Sequence, residues 1–109
     1  MTSTRQLNHW MRKDPTYLAA YSLNSLPHLP PSVIGYGLIV NTHPSNLQGQ
    51  HWIAVRVIHD QAWVFDPLAY PTPPELCRHL LTYCHVNNIH TTSKYHILRA
   101  TLCLFLIYI

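Results

Sequence analysis

The stretch from His51 to Asp66, HWIAVRVIHDQAWVFD, limits the fold more than any other part of the chain. Two runs rich in β-branched and aromatic residues flank His59-Asp60, a pair with turn chemistry, and this predicts an antiparallel hairpin. Closed through a two-residue turn, Ile58 faces Gln61 and Ile53 faces Asp66. Side chains alternate along a strand, so His51 shares a face with Ile53 and therefore with Asp66. The two become diagonal neighbours about 7–8 Å apart at the backbone, within reach of an imidazole and a carboxylate that lean together. A four-residue loop preserves this relation, whereas a three-residue loop would put the pair on opposite faces.

Proline punctuates the chain ahead of the hairpin. Pro15, Pro27, Pro30 and Pro31 divide it into Thr4 to Lys13, Thr16 to Leu23 and a turn-rich linker from Asn24 to Ser32. Leu7, Trp10 and Met11 fall on one helical face, and the first two pieces read as short helices. Tyr36 to Val40 reads as a strand, Gly35-Tyr36-Gly37 as turn chemistry and Asn41 to Gln50 as a polar loop. After the hairpin, Thr72 as N-cap, Pro73 at the first position and Glu75 three residues after Thr72 predict a helix from Pro73 to about His85. Leu76, Leu80, Tyr83 and Cys84 keep helical spacing, and Asn87-Asn88 marks the stop. Lys94 to Leu98 has strand character, and Thr101 to Ile109 fits either a strand or the first turns of a buried helix. Helices are grouped instead of alternating with every strand, so the class expected is α+β.

A length of 109 residues fits a single domain over 1-109, and 48% hydrophobic against 10% charged residues is a composition that folds. Seven Lys and Arg against four Asp and Glu are scattered, so no basic stripe indicates a nucleic-acid partner, although none is excluded. Three cysteines and a polar segment from Met1 to Pro15 read as an intracellular chain with reduced thiols. The apolar run Leu102 to Ile109 is far shorter than the roughly 20 residues that span a bilayer, and no membrane partner is expected. The nine histidines form no zinc-finger or metalloprotease spacing, and no Cys-x-x-Cys occurs, so neither metal nor cofactor is expected. A structural zinc site from Cys77, Cys84 and nearby histidines is the rival reading.

A carboxylate that holds an imidazole fixes its tautomer and favours the imidazolium, which suits a histidine that takes a proton from a nucleophile. Cys103 is the thiol candidate for that nucleophile. Cys77 and Cys84 lie on the expected helix, where packing accounts for them. For each candidate a plainer role exists: a strand-end histidine for His51, a turn cap for Asp66 and a small buried hydrophobe for Cys103.

Asn41-Thr42, a polar loop ending in Gly49-Gln50-His51-Trp52, an apolar strand and then Trp63-Val64-Phe65-Asp66-Pro67 together resemble the cysteine endopeptidases of the adenovirus type. The closest likeness is to the versions carried by large DNA transposons and related DNA viruses, in a clan that includes the ubiquitin-like-protein-specific proteases. Ser3-Thr4-Arg5-Gln6-Leu7, Asp14-Pro15 and the Tyr21 to Pro27 stretch also resemble the N-terminal part of those versions, so the likeness spans about residues 3 to 85.

The resemblance implies a small central mixed sheet flanked by helices, with His51 as general base, Asp66 as the acid that orients it and Cys103 as nucleophile. Trp52 matches the Trp that follows the family's histidine and packs beside the active site. The implied substrate is a capsid-like or other virion-like precursor polypeptide. The expected protein is a monomer, in the nucleus or a virion-like particle. DNA and a short peptide activate the adenovirus enzyme, but no residues here match such sites.

The sequence departs from the family around the nucleophile. Thr101-Leu102-Cys103 and Ile107-Tyr108-Ile109 fit, yet Leu104 stands in place of Gly, no second Cys follows and no Gln lies between Thr91 and Cys103. That Gln would donate to the oxyanion, and losing one such donor typically costs about 10²–10³ in rate. Six residues follow Cys103, fewer than two helical turns, where the family places its nucleophile at the start of a buried helix. These features read as an incomplete protease domain, with a catalytically inactive remnant or binding module of the same fold as the alternative.

Overall fold

The computed structural model describes residues 3–29, 32–42, 51–66 and 70–92. Helix α1 (Thr4–Trp10) is followed by strands β1 (Tyr17–Ser22), β2 (Ser32–Asn41), β3 (Trp52–His59) and β4 (Gln61–Phe65), then helix α2 (Pro74–Tyr83) and strand β5 (Asn88–Thr92). The strands form one mixed sheet in chain order, with β1 parallel to β2, β2–β3–β4 antiparallel and β5 parallel to β4. An α+β arrangement is therefore present.

Alternation along the strands gives the sheet two apolar faces. On one, Val40, Ile53, Val55, Val57, Ala62 and Val64 pack with Leu76, Leu80 and Cys84 of the α2 segment. On the other, Ile39, Trp52, Ala54 and Phe65 pack with Leu7 and Met11 of the α1 segment. The sheet is thus sandwiched between two helices.

The hairpin has the register expected from its sequence, with Ile58 opposite Gln61 and pairing continuing to Ala54 opposite Phe65. His59 occupies the left-handed region at φ 54°, which closes the two-residue turn. Asp60 then ties the turn to the chain after α2: its carbonyl accepts from the Asn87 and Asn88 amides, and its carboxylate accepts from Asn87 Nδ2 at 2.9 Å. Hydrogen bonds from Asn87 and Gln61 hold the Asp60 carboxyl below its usual range.

Several expectations are corrected. Thr16 to Leu23 is not a helix: Tyr17–Ser22 is a strand, followed by a 3₁₀ turn over Leu23–Ser25. Tertiary partners override local preference there, because β2 offers a free edge and Asn8 Oδ1 accepts from both Ala20 N and Tyr17 Oη beside the register shift in β1. Ser3 and Gln6 cap α1 reciprocally, and Leu7 and Met11 are buried while Trp10 is exposed. Gly35-Tyr36-Gly37 is not a turn but part of β2, where Gly35 sits at an irregularity with φ +88° and an added Cβ only 2.8 Å from Ile58 Cγ1. Only glycine fits that close approach without strain.

Helix α2 starts one residue later than expected. Pro73 is the N-cap and Pro74 the first helical residue, where a missing N–H costs nothing, and the Thr72 hydroxyl bonds Thr91 Oγ1 instead of capping. Cys84 ends the helix, and the chain leaves through His85 at φ 56° as Val86 N donates to Leu80 O. Of the residues at helical spacing, Leu76, Leu80 and Cys84 are buried and Tyr83 is exposed. Strand β5 falls where the sequence marks only a helix stop at Asn87-Asn88. The Lys94 to Leu98 and Thr101 to Ile109 segments lie outside the described residues.

Candidate active site

His51 and Asp66 meet at the end of the hairpin remote from its turn. The Thr42 amide donates to His51 O at 2.9 Å, which extends the β2–β3 pairing to the histidine and sets its backbone. Asp66 follows β4 directly, so the two strands deliver the side chains to the same place. His51 Nε2 lies 2.8 Å from both Asp66 Oδ1 and Asp66 Oδ2. With Nε2–H donating to the carboxylate, the tautomer of the ring is fixed.

The pair is well covered, with side-chain exposure of 12% for His51 and 8% for Asp66. Asp66 is the buried charged residue among the described ones, a position that is stable for a carboxylate only when it is hydrogen-bonded. The bond to His51 meets that requirement. Low exposure also strengthens the bond, because less water competes for the carboxylate.

Tyr70 completes the surroundings. Its ring centroid lies 5.4 Å from that of His51 at an interplanar angle of 49°, and the residue remains 58% exposed. Periodicity does not point to it, because a lone aromatic between Asp66 and α2 has none. The signal available was proximity in the chain to a candidate catalytic carboxylate.

Trp52, the next residue, turns to the other face of the sheet. Its indole is 5% exposed within the α1-side cluster, on the sheet face opposite the one His51 shares with Ile53. Among the described residues no acceptor meets its Nε1. Cys103, Gly49-Gln50 and Pro67 lie outside the described residues.

The other two thiols have separate surroundings. Cys84 is buried against Tyr36, its Sγ is 3.8 Å from Pro27 O, and burial pushes its pKa up. Cys77 is half-buried on α2. His79 Nε2 lies 2.7 Å from Pro27 O, and His28 stacks on Tyr83 with centroids 4.2 Å apart. These contacts fasten the segment around Pro27 to α2. Among the described residues no three His, Cys, Asp or Glu side chains are grouped to hold a metal ion, so the rival zinc reading gains no support from them. Among them, too, no helix is long and apolar enough to cross a membrane.

What the arrangement provides is limited and definite: an imidazole held by a sheltered carboxylate at the end of the hairpin. No family model matches the sequence, and no curated protein does.

Proposed function

We propose that the chain is a cysteine endopeptidase of the adenovirus type, with the fold of that protease clan, acting on capsid-like precursor polypeptides. The observation that carries this reading is the covered His51–Asp66 pair, with Nε2 at 2.8 Å from both carboxylate oxygens. Its two members are the residues that the sequence resemblance assigns as base and orienting acid. Cys103 is the nucleophile on the strength of the resemblance.

In this mechanism His51 Nδ1 takes the Cys103 thiol proton, and the thiolate attacks the scissile carbonyl. Asp66 stabilises the imidazolium that forms. As the tetrahedral species collapses, the carbon–nitrogen bond breaks and the leaving amine takes the proton from Nδ1. His51 then deprotonates a water that attacks the thioester and restores the thiol. The enzyme works as an intracellular monomer, in the nucleus or a virion-like particle, and needs no cofactor.

A second reading, an inactive member of the same fold, is favoured by Leu104 and by the missing Gln between Thr91 and Cys103. Hydrolysis of a virion-like precursor polypeptide, followed by mass spectrometry, separates the two. Defined cleavage products that disappear in His51→Ala and Cys103→Ala support the peptidase. An intact precursor with folded protein supports the inactive form.

A further inference from the structure

The aromatic ring next to His51 has no role in the mechanism above. Tyr70 is far more exposed than its neighbours in the site, yet it places its ring at 49° to an imidazole that is itself almost covered. A centroid distance of 5.4 Å is within the range over which aromatic rings are in packing contact, and the two rings are tilted, neither stacked nor perpendicular. Tyr70 adjoins Pro71, whose fixed φ limits the freedom of that stretch, and α2 begins shortly afterwards at Pro74. Tyr70 thus sets an exposed ring against a nearly covered imidazole.

We propose that Tyr70 is a positioning residue, whose ring fixes the plane of the His51 imidazole and keeps water from the His51–Asp66 hydrogen bond. The inference rests on the peptidase reading for its purpose but not for its geometry. The packing restrains rotation of the imidazole, and exclusion of water favours the Nε2–H bond to the carboxylate. With Nε2 held, Nδ1 stays aimed at one position. The phenolic oxygen is not needed for this; the ring is.

The test is nuclear magnetic resonance of the histidine rings in the natural chain, in Tyr70→Ala and in Tyr70→Phe. Nitrogen-15 shifts report the tautomer of His51, and solvent exchange of its Nε2 proton reports access of water. Tyr70→Ala is expected to speed that exchange by about tenfold or more, as protection through a local contact is lost, and to move the His51 carbon-bound protons by removing a ring current. Tyr70→Phe is expected to restore both to the values of the natural chain. Unchanged exchange and tautomer in Tyr70→Ala would overturn the proposal, as would failure of Tyr70→Phe to restore them. A role in stability alone would lower the melting temperature without moving the His51 signals. Failure of precursor cleavage would count against the peptidase reading and leave this outcome untouched.

Discussion

Removing the two members of the His51–Asp66 pair singly and together gives a coupling energy that measures their hydrogen bond. Nε2 sits 2.8 Å from both carboxylate oxygens, and side-chain exposures of 12% and 8% leave little water to replace either partner. A hydrogen bond to a charged group contributes about 1.5–3 kcal/mol net, and an abandoned buried donor or acceptor costs about 1–3 kcal/mol. Asp66→Ala and His51→Ala should each destabilise by roughly 2 kcal/mol, and the double variant by much less than their sum. The expected coupling is about 1.5–3 kcal/mol. Urea unfolding at neutral pH is a suitable assay: with m near 2 kcal/mol/M for a small domain, each single variant moves the midpoint by roughly 1 M. Asp66→Asn separates charge from shape, since its amide keeps one acceptor oxygen, and it should cost less than Asp66→Ala. Additive single effects, with coupling under about 0.5 kcal/mol, would refute the claim that the bond is formed and sheltered.

Three further outcomes follow from the structure. Gly35→Ala should destabilise the fold by about 2–4 kcal/mol, from the positive φ together with a Cβ 2.8 Å from Ile58 Cγ1 and 2.9 Å from Val57 O; a thermal melt within about 1 °C of the natural chain would contradict this. Cys84, buried and with its pKa raised, should alkylate with iodoacetamide much more slowly than half-buried Cys77, as peptide mapping over time would show. The Asp60 carboxyl has a lowered pKa from its Asn87 and Gln61 hydrogen bonds, so its contribution is present above the unfolded-state value and is lost as pH falls through the folded one. Asn87→Ala should flatten the acid limb of the stability curve below the usual carboxylate range, while leaving the dependence above neutral pH unchanged.

The hairpin was legible in the sequence because alternation, β-branching and a two-residue turn all agree there, and one register buries both faces of β3 and β4. The meeting of His51 and Asp66 followed from that register. Strand β5 was not legible: Asn88–Thr92 carries only Ile89 as a large apolar residue, and its conformation comes from pairing with β4 and from the Asp60 bonds to Asn87 and Asn88. β1 was misread for a related reason, since Leu18, Ala19 and Ala20 suit a helix as well as a strand, and the choice depends on β2 and Asn8. Pro74 instead of Pro73 takes the first helical position of α2, and the Thr72 hydroxyl finds a partner on β5 that no local pattern indicates. Trp52 lies in the cluster on the other sheet face from Ile53, because consecutive strand residues point to opposite sides. Tyr70 lay in a segment without periodicity, and only its distance to His51 identifies it.

The central claim is that an imidazole oriented by Asp66 activates a thiol at Cys103, and an electrophilic peptidyl probe followed by site mapping addresses it most directly. The natural chain should be labelled at Cys103 and not at Cys84, with labelling lost in Cys103→Ala and strongly slowed in His51→Ala and Asp66→Ala. Labelling of Cys103 that proceeds at the same rate without His51, or a folded chain that takes up no probe there, would contradict the account.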